Sequence, residues 1–151
     1  MTNSRNKGAS FEREIANTLN DSLGLKKPLK RILEQTREKH LPDLILGKWF
    51  IECKRYGQGA EPLEGWWEQV IASTPENGYP ALIYKFNHRP IKVRVPLHTV
   101  NDNLKKDFNN TCDISLKTKK SGIRKFTDFF PFKLCSMSMR AIFNNFQIIC
   151  R

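Results

Sequence analysis

The sequence predicts an α/β fold in which a mixed β-sheet is flanked by helices, and three observations support this prediction. Apolar residues recur every four positions near the N-terminus, as they do along the buried face of an amphipathic helix. Several short apolar segments bounded by Gly, Pro and Asn follow, and these are typical of strands. A second helical segment lies between the strands, which favours a sheet covered by helices.

The first predicted helix covers residues 8–23, where an apolar stripe is formed by Phe11, Ile15, Leu19 and Leu23. A second helix is predicted to open at Glu61-Pro62, because proline suits the first turn of a helix, and to end before Pro75. The predicted strands are the two arms of a hairpin over residues 42–54, then 81–86 and 91–95, with a possible edge strand at 112–116. Residues 29–35 could form an additional strand that precedes the hairpin. The aromatic-rich segment 126–132 is not assigned, and 141–150 could be a helix or a strand.

Length and composition are those of a single domain with an apolar core. The chain has 151 residues, of which 39% are hydrophobic, and no apolar run approaches the ~20 residues that a membrane span requires. We expect a core over residues 1–96 and a basic C-terminal extension over 97–151 that packs on the same domain. The polar N-terminus and four widely spaced cysteines without a Cys-x-x-Cys pair predict a cytoplasmic protein with free thiols.

The hairpin places acidic and basic side chains together in an apolar setting. With Gly47-Lys48 as a two-residue loop, Asp43 lies opposite Glu52, beyond the pairs 46–49, 45–50 and 44–51. Strand alternation puts Lys54 on the same face as Glu52. Directly opposed carboxylates repel each other, so we expect either a cation between them or strand ends that fray into solvent.

Carboxylate oxygens are hard ligands that suit Mg²⁺ or Mn²⁺, and Mg²⁺ usually takes one or two of them. We therefore expect Asp43 and Glu52 to bind Mg²⁺, for which Mn²⁺ should substitute, with the backbone carbonyl of Cys53 as a possible further ligand. Lys54 could orient the water that attacks a phosphodiester and stabilise the developing charge. Glu12 borders the apolar stripe of the first helix and is a candidate for another carboxylate at this centre, although a solvated glutamate near a helix start is the simpler alternative.

The charge distribution indicates a polyanionic partner. The net charge is +11, and Lys and Arg outnumber Asp and Glu by nine to five in residues 1–40, seven to six in 41–96 and ten to four in 97–151. Nucleic acid fits this excess better than a membrane surface, because no basic amphipathic helix stands out. Candidate DNA-binding residues are Arg5, Lys7, Arg37, Lys39 and Arg55 around the acids, and Lys117, Lys119, Lys120, Arg124 and Lys125 in the extension. For each, a solvated surface charge is the alternative; for Trp66 and Trp67 the alternatives are base stacking and a place in the core.

Pro42-Asp43, eight residues, and then Glu52-Cys53-Lys54 resemble the signature of the PD-(D/E)xK nuclease superfamily. The opening Lys7-Gly8-Ala9-Ser10-Phe11-Glu12 resembles the first helix of its Holliday junction resolvase branch, which includes archaeal resolvases and bacteriophage endonucleases. The resemblance covers residues 5–96. It implies a restriction-endonuclease-like fold and catalytic roles for Glu12, Asp43, Glu52 and Lys54. It also implies a glutamine near the site on the following helix, matched by Gln69, which joins the candidate catalytic residues.

On this resemblance we expect a Mg²⁺-dependent endodeoxyribonuclease, a homodimer that resolves Holliday junctions in DNA recombination by symmetric cuts, in the host cytoplasm if phage-encoded. One alternative is a nuclease of the same fold that acts on linear, nicked or host DNA. Another is a non-catalytic DNA-binding protein on a nuclease scaffold, against which the intact Asp43, Glu52 and Lys54 argue.

Overall fold

Five strands form one mixed sheet that carries a helix on each face. The structure is a computed structural model that describes residues 4–32, 41–115, 118–119 and 122–123. In chain order the elements are α1 Ser4–Leu23, β1 Leu44–Leu46, β2 Trp49–Tyr56, α2 Glu64–Ala72, β3 Tyr79–Phe86, β4 Lys92–Pro96, a 3₁₀ turn Leu97–Thr99, β5 Thr111–Ser115, β6 Thr118–Lys119 and β7 Gly122–Ile123. Among the described residues, the last two strands pair only with each other.

The main sheet has the order β1-β2-β3-β4-β5. Strands β2 and β3 are parallel and are joined through α2, whereas the other neighbours are antiparallel. This arrangement confirms the predicted α/β class and mixed sheet. The sheet also continues past residue 96, because β5 pairs with β4 along five residues. Within the described ranges neither helix combines the length and apolar character that a bilayer crossing requires.

The hairpin of β1 and β2 has the predicted register, with Leu44 opposite Ile51, Ile45 opposite Phe50 and Leu46 opposite Trp49. Gly47 adopts φ 59°, the left-handed conformation that a primed two-residue turn requires. The predicted pair of Asp43 and Glu52 does not continue this ladder. Asp43 lies in a bend just before β1, so the two strands diverge at this point.

The two faces of the sheet bury different kinds of side chain. Toward α1 the packing is apolar, with Phe11, Ile15 and Leu19 of the helix against Ile51, Cys53, Ala81, Ile83, Val93 and Val95 of the strands. Toward α2 it is aromatic and joins Trp66, Trp67 and Val70 to Leu82, Tyr84 and Phe86. Both indoles are therefore core residues. The indole N–H of Trp67 donates to the carbonyl of Phe108 at 2.9 Å, which satisfies its polar edge.

Several predicted boundaries need correction. Residues 25–32 form no strand, because the Asn20 side chain bonds both the N–H and the carbonyl of Leu29, at 2.6 and 3.1 Å, in place of a strand neighbour. Helix α1 begins at Ser4, earlier than predicted, and α2 begins at Glu64, because Leu63 is extended (φ −66°, ψ 140°). The edge strand is confirmed as Thr111–Ser115. Predictions for 33–35, 116–117, 126–132 and 141–150 lie outside the described residues.

Candidate active site

The candidate site lies at the edge of β2 where β1 diverges from it. Beyond Ile51 the β2 backbone stays paired with β3 but loses its partner on the β1 side, where the carboxylate of Asp43 takes the place of a strand. Asp43 Oδ2 accepts the backbone N–H of Cys53 at 2.7 Å, and the Asp43 carbonyl accepts the N–H of Ile32 at 3.0 Å. The backbone therefore holds Asp43 on both sides, with only 5% of the residue exposed.

On the α2 face, Glu52, Lys54 and Gln69 form a closed hydrogen-bonded triangle. The Lys54 ammonium donates to Glu52 Oε1 at 2.7 Å and to Gln69 Oε1 at 2.9 Å, and Gln69 Nε2 donates to Glu52 Oε1 at 2.9 Å. Glu52 is buried, while the Lys54 side chain is 23% exposed. The triangle thus presents one ammonium group at the surface above a buried carboxylate.

Glu12 reaches the same centre from α1. It is buried beside Phe11 on the helix face that packs against β2, and the charges of both Asp43 and Lys54 act on it. Its Oε2 forms an ion pair with the guanidinium Nε of Arg31, from the irregular segment after α1. Sequence reasoning missed Arg31, because its reach depends on the path of residues 25–32, and no local pattern encodes that path.

The three carboxylates disfavour one another's charge. Burial, followed by the negative charge of Asp43, raises the pKa of Glu52 to about 7, and the ammonium of Lys54 opposes the rise. The same two causes, in the same order, raise the pKa of Glu12, while Arg31 and Lys54 lower it. Burial and these acids also raise the pKa of the Cys53 thiol, which packs in the apolar core. The centre is therefore short of positive charge.

That shortage fits a divalent cation in part. All three acids offer hard oxygen ligands, and Glu52 Oε2 is buried without a hydrogen-bond partner among the described residues. Yet no three His, Cys, Asp or Glu side chains in the described ranges are arranged to hold an ion together, and Glu12 is engaged by Arg31. Asp43 and Glu52 thus fit a metal better than Glu12 does in this arrangement. The backbone N–H of Cys53 donates to Asp43, and the role of the Cys53 carbonyl as a metal ligand stays a prediction.

The predicted DNA-binding residues are only partly covered by the structure. Lys7 is exposed on α1, and Arg55 is half-buried on β2 with an Nε that has no hydrogen-bond partner in the described ranges. Arg5 lies in α1 and Lys119 in β6, where the structure describes their backbone. Outside the described residues lie Arg37, Lys39, Lys117, Lys120, Arg124 and Lys125.

Comparison with known proteins gave one informative match. The model of a family described as "Phage putative PDDEXK endonuclease" matches residues 3–147, nearly the whole chain. No curated protein and no solved structure matched. The superfamily expected from Asp43, Glu52 and Lys54 is thereby confirmed, with an α/β sheet that is consistent with its restriction-endonuclease-like fold. The chain belongs to this phage PDDEXK endonuclease family, which makes it a nuclease.

Proposed function

We propose that the protein is a Mg²⁺-dependent endodeoxyribonuclease that cuts branched DNA, with four-way junctions as its main substrate. The observation that carries the metal-dependent chemistry is the buried Glu52 carboxylate, which has one oxygen in the triangle with Lys54 and Gln69 and the other without a hydrogen-bond partner in the described ranges. Asp43 adds a second buried acid whose charge raises the pKa of Glu52. A cation at this centre would relieve that repulsion.

In this proposal Asp43 and Glu52 would hold the ion, and the Cys53 carbonyl would be a further ligand. Glu12 would join them only if its ion pair with Arg31 opened. Mn²⁺ is expected to replace Mg²⁺, because both take hard oxygen ligands. When bound, such an ion acidifies a water molecule and neutralises charge that develops on the phosphate.

Lys54 supplies the protein's own contribution to catalysis. Its ammonium is partly exposed, so it can reach a phosphate oxygen or a water while its other hydrogen bonds hold it in place. A preorganised cation at that point stabilises charge that grows in the transition state without paying for reorganisation. Gln69 acts through Lys54 and Glu52 and is a positioning residue.

Binding is proposed to depend on the basic excess of the chain. The net charge of +11 favours a polyanion, and each phosphate contact releases counterions. Lys7 and Arg55 belong to this surface in the described part of the chain, together with the predicted residues of the extension. Association should therefore weaken steeply as salt increases.

The branched substrate and the dimer are the finer parts of the proposal. Their support is the likeness of the Lys7-Gly8 to Glu12 segment to the first helix of junction resolvases. A four-way junction is resolved by two symmetric cuts, for which a C₂ dimer with two sites is the natural form. The rival within the same fold is a nuclease for linear or nicked DNA.

Labelled four-way junction and linear duplex of matched sequence test the proposal when they are incubated with Mg²⁺, with Mn²⁺ and with EDTA. We expect cuts in the junction with either metal, none with EDTA, and loss of cleavage with retained binding in Asp43→Asn and Glu52→Gln. Equal cutting of both substrates would replace the junction by the linear-DNA alternative. Absence of cutting with either metal would favour a non-catalytic binding protein.

A further inference from the structure

A stack of aromatic rings rises from the α2 face of the sheet to the surface. Phe86 is 5% exposed, Trp66 9% and Tyr56 53%. The rings of Trp66 and Phe86 are stacked with centroids 6.1 Å apart, and Tyr56 packs on Trp66 at 5.0 Å. Tyr56 is thus the outer ring of the stack and leaves half of its surface uncovered by the described residues.

This outer ring lies beside the candidate active site. Tyr56 follows Lys54 by two residues on β2, so both point to the same face about 7 Å apart along the strand. On α2, Gln69 bonds Lys54, and Trp66, one helical turn earlier, contacts Tyr56. The contacts between β2 and α2 thus form a line, which we call the seam. The pair Tyr56–Trp66 follows the pair Lys54–Gln69 along it.

The backbone at the end of β2 is fixed by contacts with the end of β3 and the turn after it. The Tyr56 carbonyl accepts the N–H of Asn87 at 3.2 Å, which joins the end of β2 to the turn after β3. Gly59, with φ 133°, approaches the Phe86 ring so closely that a Cβ there would lie 2.4 Å from it. The inner end of the stack is therefore packed between the sheet and the backbone of Gly59.

The chemistry around the ring favours a nucleic acid. Of four large apolar side chains exposed in the described part of the chain, Tyr56 and Leu63 lie at this end of the seam, with Ile45 and Leu104 elsewhere. The adjoining turn exposes Arg89, and Lys54 precedes Tyr56 by two residues on the same face of β2. An aromatic face among cations is the combination that binds the bases and phosphates of unpaired strands.

We propose that Tyr56 stacks on a nucleobase that has left the duplex next to the phosphate being cut. Bases within an intact duplex already stack on each other, so only DNA with an unpaired or splayed base near the cut gains this contact. Tyr56 thereby becomes a specificity-determining residue for branched substrates. This inference rests on the proposed nuclease function and names the feature of the substrate that the seam recognises.

The test compares wild type with Tyr56→Phe, Tyr56→Trp and Tyr56→Leu on matched four-way junction and linear duplex in Mg²⁺. Leucine keeps apolar cover over Trp66 but has no aromatic face. We expect kcat/KM on the junction to fall about 5- to 150-fold in Tyr56→Leu and to stay near wild type in the two aromatic variants. Cleavage of the duplex should change little in all three, and Leu63→Ala serves as the control for a neighbouring exposed apolar residue.

A second readout follows the base itself. With 2-aminopurine next to the cut and EDTA in place of metal, wild type and Tyr56→Phe should quench its fluorescence on binding the junction, whereas Tyr56→Leu should not. Equal quenching in Tyr56→Leu, or equal loss of cleavage on junction and duplex, would overturn the inference. So would a change in oligomeric state in Tyr56→Leu, because the ring would then cover a second copy of the chain. If wild type itself cuts the junction no better than the duplex, the proposal of a branched substrate is wrong, whereas the stacking inference is still open. Quenching of 2-aminopurine in a single-stranded oligonucleotide then tests the stacking.

Discussion

Two ionic groups lie in one row across the α2 face of the sheet, and they differ in how fully their carboxylate oxygens are hydrogen-bonded. The register aligns Glu52 with Leu82, Leu82 with Arg94, and Arg94 with Asp113. The guanidinium of Arg94 bonds both oxygens of Asp113, at 2.9 and 2.6 Å, which is the matched bidentate geometry of a structural ion pair. Glu52 instead shares one oxygen between Lys54 and Gln69 and leaves the other buried without a hydrogen-bond partner in the described ranges.

This difference in hydrogen bonding and charge distinguishes an ion pair suited to stabilise the fold from a carboxylate suited to chemistry. Asp113 raises the pKa of Arg94 through their hydrogen bonds, so the carboxylate stabilises the charge of the guanidinium. Burial and the charge of Asp43 raise the pKa of Glu52, so the ionised form of this carboxyl group is disfavoured. The first pair can serve the fold, whereas the second centre is suited to accept a further cation.

After the two acids Asp43 and Glu52, whose replacement is expected to abolish cleavage, the largest expected effect is on Lys54. Lys54→Met removes the ammonium but keeps the length of the side chain, and we expect cleavage to fall about 100- to 1000-fold because a preorganised charge is lost. Initial rates on labelled junction in Mg²⁺ measure this. Lys92→Met is the matched control, since Lys92 lies on the same face and its Glu61 partner is exposed. A similar loss in both variants would assign the effect to general charge.

Gln69→Ala should give the next largest effect. It removes the contacts that orient Lys54 and Glu52, and the loss of such supporting bonds typically lowers activity about 10- to 100-fold. Because the role is positional, the fall should appear in kcat with little change in KM. Glu68→Ala, on the exposed side of the same helix, should keep wild-type kinetics. Unchanged kcat in Gln69→Ala would remove Gln69 from the site.

Asp113→Asn tests the other end of the row through stability. Loss of a charge-assisted pair that is about four-fifths buried should lower the free energy of unfolding by about 1–2 kcal/mol. Urea denaturation measures it, and cleavage per folded molecule should stay within about twofold because the pair shares no bond with Glu52. A loss of cleavage larger than the loss of folded protein would show that the Arg94–Asp113 pair also contributes to the active site.

The smallest expected effect is the pH dependence of stability in metal-free protein. A carboxyl group whose pKa is raised on folding binds more protons in the folded state, so stability falls as pH rises from 4.5 to about 7. Glu52→Gln should remove on the order of 1 kcal/mol of this fall. Urea denaturation in EDTA at the two ends of the window measures it. An identical pH profile in the variant would show that the charge of Glu52 is not disfavoured.

The sequence predicts those parts of the site that local rules govern. The turn at Gly47 sets the hairpin register, strand alternation places Lys54 beside Glu52, and Gln69 lies on the helix where the resemblance places it. In each case the spacing along one element, or across one tight turn, carries the information. The α/β class follows from the same kind of pattern.

The rest depends on contacts between distant segments. The hairpin register predicts that Asp43 faces Glu52, but the carboxylate of Asp43 binds the Cys53 amide, and the ladder ends at Leu44 and Ile51. Arg31 pairs with Glu12 from a segment that the Asn20 side chain binds at Leu29 and the Asp43 carbonyl binds at Ile32. No periodicity along the chain records either contact.

The central claim is that the under-bonded carboxylate serves cleavage while the bidentate pair serves the fold. Glu52→Gln and Asp113→Asn, purified in parallel, test it when junction cleavage in Mg²⁺ and urea unfolding in EDTA are measured on the same preparations. The account predicts no detectable cleavage and undiminished stability for Glu52→Gln, against retained cleavage and reduced stability for Asp113→Asn. Mg²⁺-dependent cleavage by Glu52→Gln at the wild-type rate would contradict it.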